Sequence, residues 1–560
     1  MNPTEAASSA AWAWQDSFTL GLFFVGMIAI VVWVLLQKEE TTQDYFLAGR
    51  DAGWLAIGSS IFASNIGSEH LVGLAGAGAT SGMAMAHWEM HGWLILILGW
   101  VFVPFYSRSM VYTMPEFLER RFSPSARSFL SIISLVSYVL TKVAVTVYAG
   151  GVVFKQVLGI ESWMGIDFFW IGAIGLVVLT GIYTVLGGMK SVLYTSVLQT
   201  PVLLLGSIMI LIVGLVKVGG WGELVTIAEA NATPQGDHMM ALIRSPQDPV
   251  FPWTGVLLAS PIIGFWYWCT DQFIVQRVLS GRNQTEARRG TIFGAYLKLL
   301  PVFIFLIPGI IAYALNQKGM IQLDNPDAAF PTLVSTLLPA GMKGVVVGGL
   351  VAALMSSLAS LFNSSATLFT VDFYKKYRPL ASERELVHIG RVATAVVVVL
   401  GVAWIPVMRN MGQVLYTYLQ DVQSLLAPGI AAVFVMGVFW HGATAAGGLA
   451  GLTVGFVLGM LRLALRVFEG SLDPAGFLYQ TIVVPNWLHY CVFLFILSLA
   501  VIWIVSLLTR KPTPEMLQGL TYGSASPAQI AETRASWNHW DVIHSAIIVG
   551  IVVVFYIYFW

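Results

Sequence analysis

Fourteen stretches of mostly apolar residues, each long enough to cross a membrane as a helix, run through almost the whole chain. A hydrocarbon core about 30 Å thick needs roughly 20 residues of helix, and only helices or closed barrels satisfy their backbone groups inside it. We therefore predict an all-α membrane protein with about 14 transmembrane helices. The predicted spans are residues 17–37, 54–78, 82–107, 126–157, 165–186, 190–216, 252–277, 287–315, 341–374, 388–408, 412–439, 443–467, 485–508 and 541–559.

The composition fits a membrane protein and argues against several other classes. Hydrophobic residues make up 57% of the chain and charged residues 10%, whereas soluble domains carry roughly 25% charged residues. The 29 basic residues balance the 29 acidic ones, so charge gives no indication of a nucleic-acid partner. The longest polar segments, 218–250 and 509–540, are too short for a catalytic domain and contain no phosphate-binding loop. We expect a transporter driven by an ion gradient, not an enzyme or an ATP-driven pump.

The distribution of basic residues between the loops predicts the orientation in the membrane. Cytoplasmic loops carry an excess of lysine and arginine, and in this chain one alternating set of loops is far richer in them than the other. We therefore predict a multi-pass protein of the cell membrane with the basic loops inside and both termini outside. The basic residues of that set are Arg120, Arg121, Arg127, Arg282, Arg288, Arg289, Lys375, Lys376, Arg378, Arg384, Arg391, Arg510 and Lys511.

The second span is interrupted by the polar sequence Ser64-Asn65-Ile66-Gly67-Ser68-Glu69-His70. Irregular backbone at membrane depth is tolerated only where protein or a water-filled cavity surrounds it. Broken helices of this kind form the ion and substrate sites of secondary transporters. This interruption makes transport the first hypothesis.

Nine ionisable side chains fall inside predicted spans. Each is costly at that depth, by about 2.5–3.5 kcal/mol even on the most lenient insertion scale. One interpretation is that they pair with each other for purely structural reasons; the other is that some of them bind a substrate or an ion. Their number favours a function for at least part of the set, which comprises Glu69, His70, His87, Glu89, His91, Lys142, Asp271, Lys298 and Asp421.

The seventh span contains three adjacent aromatic residues, Trp266-Tyr267-Trp268, followed by Asp271 and Gln272. These rings could be ordinary packing, or they could form a platform for the C–H face of a sugar. Carboxylates and amides nearby would then bind the sugar hydroxyls. Two polar breaks, each in the first span of a helix group, match the inverted-repeat arrangement of transporter sites.

The ninth span carries adjacent hydroxyls at Ser356 and Ser357. Serine in membrane helices usually serves packing or bonds its own helix. Beside the broken second span, however, these hydroxyls and the carbonyls freed near Ala63 and Ile66 would supply hard oxygen ligands. Such ligands suit Na⁺.

These motifs resemble the sodium:solute symporter family, and most closely its sodium/glucose and sodium/myo-inositol cotransporter branch. The similarity covers roughly residues 40–465. It rests on Tyr45–Arg50, Ala63–Ser68, Val72–Gly76, Thr113–Phe117, Trp266–Gln272, Val275–Arg277, Tyr296–Leu299, Ala353–Ser357 and Phe362–Ser364. The resemblance implies a LeuT-like core of two inverted repeats with flanking helices and alternating access. On that basis we expect an N-terminal extra helix and loop (1–51), a first repeat (52–217), an outer loop (218–251), a second repeat (252–439) and C-terminal accessory helices (440–560).

Carried over residue by residue, the resemblance also implies the ligands. It assigns Na⁺, the co-transported ion, to Ala63, Ile66, Ala353, Ser356 and Ser357. It assigns the sugar to Asn65, His70, Glu89, Tyr267, Trp268, Lys298 and Gln420. The expected partners are a small sugar or polyol, sodium and the lipid bilayer, with no organic cofactor, nucleic acid or obligate protein partner.

Departures from the family pattern refine the expectation. Tyr194-Thr195-Ser196 stands where family members often have aspartate at the third position, and that aspartate helps form a second sodium site. We therefore expect one Na⁺ per sugar. The first hypothesis for the substrate is a hexose such as glucose or galactose. The alternatives are myo-inositol, which Ser68-Glu69-His70 favours, an amino sugar, a sialic acid or a nucleoside, and, in another class, a non-transporting sugar sensor. The absence of the long cysteine-bearing outer loops of animal carriers indicates a bacterial member.

Overall fold

A computed structural model describes residues 12–37, 41–67, 69–230, 237–409 and 415–560, and the described chain is almost entirely helical. In the first half the α-helices are α1 (Trp14–Leu35), α2 (Thr42–Leu47), α3 (Trp54–Asn65), α4 (Ala75–Ser81), α5 (Ala86–Glu89), α6 (Gly92–Ile97), α7 (Val103–Ser109), α8 (Met114–Arg121), α9 (Pro124–Ser137), α10 (Ala144–Leu158), α11 (Phe168–Val218), α12 (Trp221–Glu229), α13 (Trp253–Phe265) and α14 (Gln272–Leu279). In the second half they are α15 (Gln284–Lys298), α16 (Ile307–Gln317), α17 (Ala329–Leu337), α18 (Met342–Thr367), α19 (Lys375–Tyr377), α20 (Glu383–Arg409), α21 (Leu415–Phe439), α22 (Ala445–Val467), α23 (Trp487–Leu508), α24 (Pro514–Leu517), α25 (Pro527–Ala535) and α26 (His539–Tyr558).

Wider π-type turns continue or join several of these helices. They lie at Glu69–Leu74, Leu98–Phe102, Tyr138–Val143, Trp266–Thr270, Val302–Leu306, Leu368–Tyr374 and Tyr479–Val483. Short 3₁₀ turns lie at Ala48–Arg50, Gly82–Met85, Pro326–Ala328 and Glu469–Ser471. Two short strands, β1 (Ser162–Trp163) and β2 (Ile166–Asp167), pair antiparallel, with Ser162 opposite Asp167.

Within the described residues, ten helices are long and apolar enough to cross a membrane. This confirms a multi-pass, all-α membrane protein. The predicted spans 165–186 and 190–216 correspond to the two helical segments of α11, which meet at a kink at Gly188, where φ is 47° and ψ is −145°. The spans at 54–78 and 252–277 are each divided by a break, so neither forms one long helix, whereas 126–157 is helical throughout, with a π-type turn at Tyr138–Val143. The count of 14 crossings and the repeat boundaries stay predictions.

Side-chain caps fix where several helices begin after the short loops. Thr113, Ser123, Asn283 and Thr444 each accept a hydrogen bond from the backbone N–H three residues later, at 2.9–3.2 Å. These bonds satisfy N–H groups that have no partner inside the helix. The capping residues therefore set the starts of α8, α9, α15 and α22.

Small residues bring α3 and α15 close together. A methyl group at Gly290 would collide with Ile57, and one at Gly58 would collide with Phe293 and with the carbonyl of Gly290. Without a hydrophobic driving force between membrane helices, such small residues let the backbones pack closely. This contact places Lys298, at the end of α15, beside the end of α3.

Candidate functional site

The first break lies at the end of α3, as the sequence predicts. The helix ends at Asn65, and Ile66 adopts an extended conformation with φ −78° and ψ 95°. Ser68 lies outside the described residues, and helical structure resumes at Glu69. The last carbonyls of a helix have no partner within it. The chain therefore presents the carbonyls around Ala63 to neighbouring groups.

The second break lies at Asp271, between the aromatic run and α14. Asp271 is extended, and its carboxylate accepts a hydrogen bond from the Phe273 N–H at 3.2 Å. The same carboxylate bonds the Lys142 ammonium at 2.7 Å and the Tyr138 hydroxyl. Asp271 and Lys142 are thus a buried structural pair that holds the break. This pairing favours the structural interpretation of intramembrane charge for these two residues.

All seven predicted sugar contacts line one buried cavity between the two breaks. The space within it that the centre of a water molecule can occupy is about 30 Å³. That volume holds a water or two, so the walls must move apart before a sugar can enter. The predicted residues in the lining are Asn65, His70, Glu89, Tyr267, Trp268, Lys298 and Gln420; the remaining lining residues are Glu69, Trp88, His91, Ile263, Gly264 and Gln423.

A hydrogen-bonded network joins five of these residues. The Lys298 ammonium donates to the Glu89 carboxylate at 2.5 Å and to the Asn65 side-chain oxygen at 3.1 Å. Glu89 also bonds the His70 imidazole at 3.2 Å, and the Asn65 amide donates to the Tyr267 hydroxyl at 3.1 Å. Buried charges are stable only when paired in this way. The network therefore fixes an array of donors and acceptors at the cavity wall.

Two of the three adjacent aromatic residues face this cavity. The Tyr267 and Trp268 rings meet edge to face with centroids 4.9 Å apart, and the Lys298 ammonium lies 5.4 Å from the Trp268 ring centre. Trp266 instead contacts the Lys142 ammonium at 5.3 Å and does not line the cavity. The aromatic surface offered to a ligand thus comes from Tyr267 and Trp268.

Two amide side chains on α21 line the cavity with unused polar atoms. Gln420 Oε1 and Gln423 Nε2 are buried and have no hydrogen-bond partner among the described residues. The two residues are three apart, so they lie on the same helix face. An unsatisfied buried amide costs free energy, and a polyol could supply both missing bonds. The sequence analysis missed Gln423, because a single glutamine in an apolar helix carries no motif.

The predicted sodium ligands meet where α3 and α18 touch. The Ser357 hydroxyl donates to the Ser64 carbonyl at 2.8 Å, and the Ser360 and Ser64 hydroxyls lie 2.6 Å apart. The Ser356 hydroxyl is buried with no hydrogen-bond partner in the described chain. The other predicted ligands, Ala63, Ile66 and Ala353, are also buried, at the end of α3 and one turn before Ser357 on α18.

This oxygen-rich contact fits a small hard cation. Carbonyl and hydroxyl oxygens are the ligands that such ions prefer, and the free Ser356 hydroxyl has unused lone pairs. Arg277, which the sequence analysis did not assign, donates from Nε to the Ser64 hydroxyl at 3.0 Å. It therefore places a fixed positive charge beside the predicted ion site.

Of the remaining intramembrane polar residues, three have partners of their own, namely His87, His91 and Asp421. His87 bonds the Tyr556 hydroxyl at 2.8 Å and the Leu242 carbonyl at 2.9 Å. Asp421 forms an ion pair with Arg466. His91 lies 3.4 Å from the Ser260 hydroxyl and also lines the cavity. Glu69 faces the cavity as well, so only part of the set serves packing alone.

Comparisons with known proteins agree with this architecture. A sequence model of the Sodium:solute symporter family matches residues 45–455. The chain is 38% identical to the sodium/myo-inositol cotransporter 2 of Oryctolagus cuniculus, over 90% of this chain and 78% of that protein. It is 36% identical to sodium/myo-inositol cotransporter 2 of Homo sapiens, over 93% of this chain and 81% of that protein.

A solved structure of a Na⁺-coupled sialic acid symporter, in a substrate-bound outward-open state, superposes with a TM-score of 0.72. The two chains are 21% identical, and the match covers 89% of this chain and 98% of the other. This likeness confirms the LeuT-like fold. The extent of the family match, and the identity to cotransporters over 78–81% of their length, confirm secondary transport in place of enzyme activity. The chain belongs to the sodium:solute symporter family.

Proposed function

We propose that this symporter imports a cyclic polyol, with myo-inositol as the first candidate, together with Na⁺ by alternating access. The observation that carries the proposal is the cavity between the two helix breaks, whose lining includes all seven predicted polar and aromatic residues. A ring bearing hydroxyls could pack on Tyr267 and Trp268 and bond Gln420, Gln423 and the Lys298–Glu89 pair. Relatives at 35–38% identity are sodium/myo-inositol cotransporters, which supports this substrate over the hexose expected first.

Sodium would act by joining α3 to α18. The Ser357 hydroxyl donates its proton to the Ser64 carbonyl and keeps its oxygen lone pairs for Na⁺. Bound Na⁺ would then hold the end of α3, including Asn65, in the geometry that receives the polyol. Coupling requires that each ligand bind better when the other is present. Loss of Na⁺ on the inside would loosen α18 and release the polyol.

We further propose one Na⁺ per polyol. Ser196 has a hydroxyl where a second sodium site would need a carboxylate. That hydroxyl bonds the Val192 carbonyl at 2.6 Å and lies 3.4 Å from the Ser60 hydroxyl. One charge crossing about 100 mV supplies about 2.3 kcal/mol, and a tenfold sodium gradient adds about 1.4 kcal/mol. Together these sustain roughly 500-fold accumulation.

The same proposal places the protein in the cell membrane with both termini outside. The uneven distribution of lysine and arginine between the loops supports that orientation. Labelling of cysteines introduced at exposed loop positions, from either side of sealed cells, tests it. Labelling of position 511 from outside, or of position 470 from inside, would reverse the assignment.

A hexose is the second candidate, favoured by the same donors, acceptors and ring platform. Uptake of labelled myo-inositol and labelled glucose by proteoliposomes, with and without an inward Na⁺ gradient, separates the two. The proposal expects Na⁺-driven accumulation of myo-inositol that unlabelled glucose inhibits weakly. Stronger Na⁺-driven uptake of glucose would favour the hexose. Binding without accumulation of either compound would favour a sensor and contradict import.

A further inference from the structure

An apolar groove opens on the membrane face between α9, the end of α18 and α20. It encloses about 630 Å³, which lies within the range of about 300–1,000 Å³ typical of ligand pockets. We name it the α9–α20 groove. Its walls include Leu135, Val136, Phe369, Val392, Ala393 and Val396. It is separate from the polar cavity, with which it shares no residue.

The groove faces the lipid, because its rim side chains are exposed in a span of a membrane protein. Val136 is 52% exposed, Val396 is 50% exposed and Leu400 is 46% exposed, whereas Ala393, at the floor, is 7% exposed. In a bilayer, a concave apolar surface of this kind is filled by hydrocarbon chains. The shape therefore fits an acyl chain.

One end of the groove carries a basic pair. Tyr374 lines that end, and the exposed Lys375 and Lys376 follow it directly. The Lys376 ammonium reaches across to the Ser128 hydroxyl on α9 at 3.2 Å, so it lies over the mouth.

The nearby carboxylates are already engaged. Glu385 accepts from the Tyr374 hydroxyl at 2.6 Å and lies 3.8 Å from Arg378. Glu383 accepts from the backbone and hydroxyl of Thr42, both at 2.8 Å. Even so, the basic residues of segment 375–385, Lys375, Lys376, Arg378 and Arg384, outnumber its two carboxylates, Glu383 and Glu385, so the mouth keeps an excess of positive charge.

We propose that the α9–α20 groove is a binding site for one anionic phospholipid. The acyl chain lies against Val136, Ala393 and Val396, and the negatively charged headgroup binds Lys375 and Lys376. An acyl chain alone gives no charge preference, whereas an ammonium pair at the membrane surface attracts anionic headgroups. The same helix, α18, carries Ser356 and Ser357, so the bound lipid supports the helix that holds the predicted sodium ligands.

The charge preference is tested in nanodiscs of phosphatidylcholine that contain a minor fraction of phosphatidylglycerol, with bound lipid counted by native mass spectrometry. Replacing both lysines, Lys375→Gln with Lys376→Gln, should reduce retained phosphatidylglycerol about 30-fold, because each lysine contributes roughly a factor of five. The matched control replaces another exposed basic pair, Arg510→Gln with Lys511→Gln. It should leave retention unchanged.

The groove itself is tested with Ala393→Trp, which fills the floor, against Val399→Trp, which adds the same ring on an exposed part of α20. The first variant should lose the tightly held lipid, and the second should keep it. Equal phosphatidylglycerol retention in the wild type and the double-lysine variant would overturn the proposal and indicate ordinary annular lipid only. Because the glutamine changes are on the surface, that result remains decisive even if Ala393→Trp fails to fold. Both readouts are independent of transport.

Discussion

Lys298→Met removes the residue that joins the two halves of the proposed polyol site. The ammonium bonds Glu89 at 2.5 Å and Asn65 at 3.1 Å, and both residues belong to the first helix group. Methionine keeps much of the side-chain length and packing against Trp268 but removes the charge and the donors. The change therefore isolates the electrostatic contribution of Lys298.

Two effects of different size should follow. Leaving one partner of a buried ion pair uncompensated costs about 3–5 kcal/mol of stability, and the retained bond from His70 to Glu89 places the expected loss at the lower end. Separately, a hydrogen bond from a charged donor to a substrate hydroxyl contributes about 1.5–3 kcal/mol. Its loss lowers polyol affinity about 10- to 150-fold.

The double variant Glu89→Gln with Lys298→Met separates these effects. It removes both charges, so the melting temperature in detergent should recover most of the loss seen in the single variant. Polyol affinity should stay at least tenfold below that of the wild type, because the charged donor is still missing. Binding of labelled myo-inositol by scintillation proximity and thermal unfolding give the two measurements. Recovery of both stability and affinity in the double variant would refute a direct role of Lys298 in recognition.

Three further predictions concern the ion, the amides and the stoichiometry. Ser356→Ala should raise the Na⁺ concentration for half-maximal uptake about tenfold, because it removes an oxygen ligand. The control Ser335→Ala should leave that concentration unchanged. The same Na⁺ dependence in Ser356→Ala and the wild type would contradict the assignment. Gln423→Leu should weaken polyol binding about 2- to 12-fold, the contribution of one neutral hydrogen bond. Competition binding measures the dissociation constant, and an unchanged value would exclude Gln423 from the site. Reversal potentials in proteoliposomes should give one Na⁺ per polyol. In Ser196→Asp we expect a ratio of Na⁺ to polyol near two. A ratio near two in the wild type would be inconsistent with the single-ion proposal.

Much of the fold follows from local sequence signals. Apolar length marks the spans, and the polar run from Ser64 to His70 marks the first break, because unpaired backbone cannot face lipid. The division of α11 is also readable, because the boundary predicted between residues 186 and 190 falls at Gly188, where a φ of 47° breaks the helical course.

The site was only partly readable from the sequence. The motif resemblance brought Asn65, Glu89 and Lys298 together, and the structure places Asn65 and Glu89 each within hydrogen-bond distance of Lys298. The partner of Asp421 was not readable, because Arg466 is on another helix and pairing across helices leaves no local pattern. Gln423 was missed for a similar reason. Its importance rests on an unpaired amide atom in a cavity, which only the three-dimensional arrangement reveals.

Uptake of labelled myo-inositol by purified protein in proteoliposomes, with an inward gradient of either Na⁺ or K⁺, tests the central claim most directly. The account predicts accumulation above equilibrium with Na⁺ and none with K⁺. It also predicts that accumulation at low myo-inositol falls strongly in Lys298→Met and that accumulation falls at low Na⁺ in Ser356→Ala. Equal uptake in the two gradients, or Na⁺-driven uptake unaffected by both substitutions, would contradict a shared ion and polyol site between the two helix breaks.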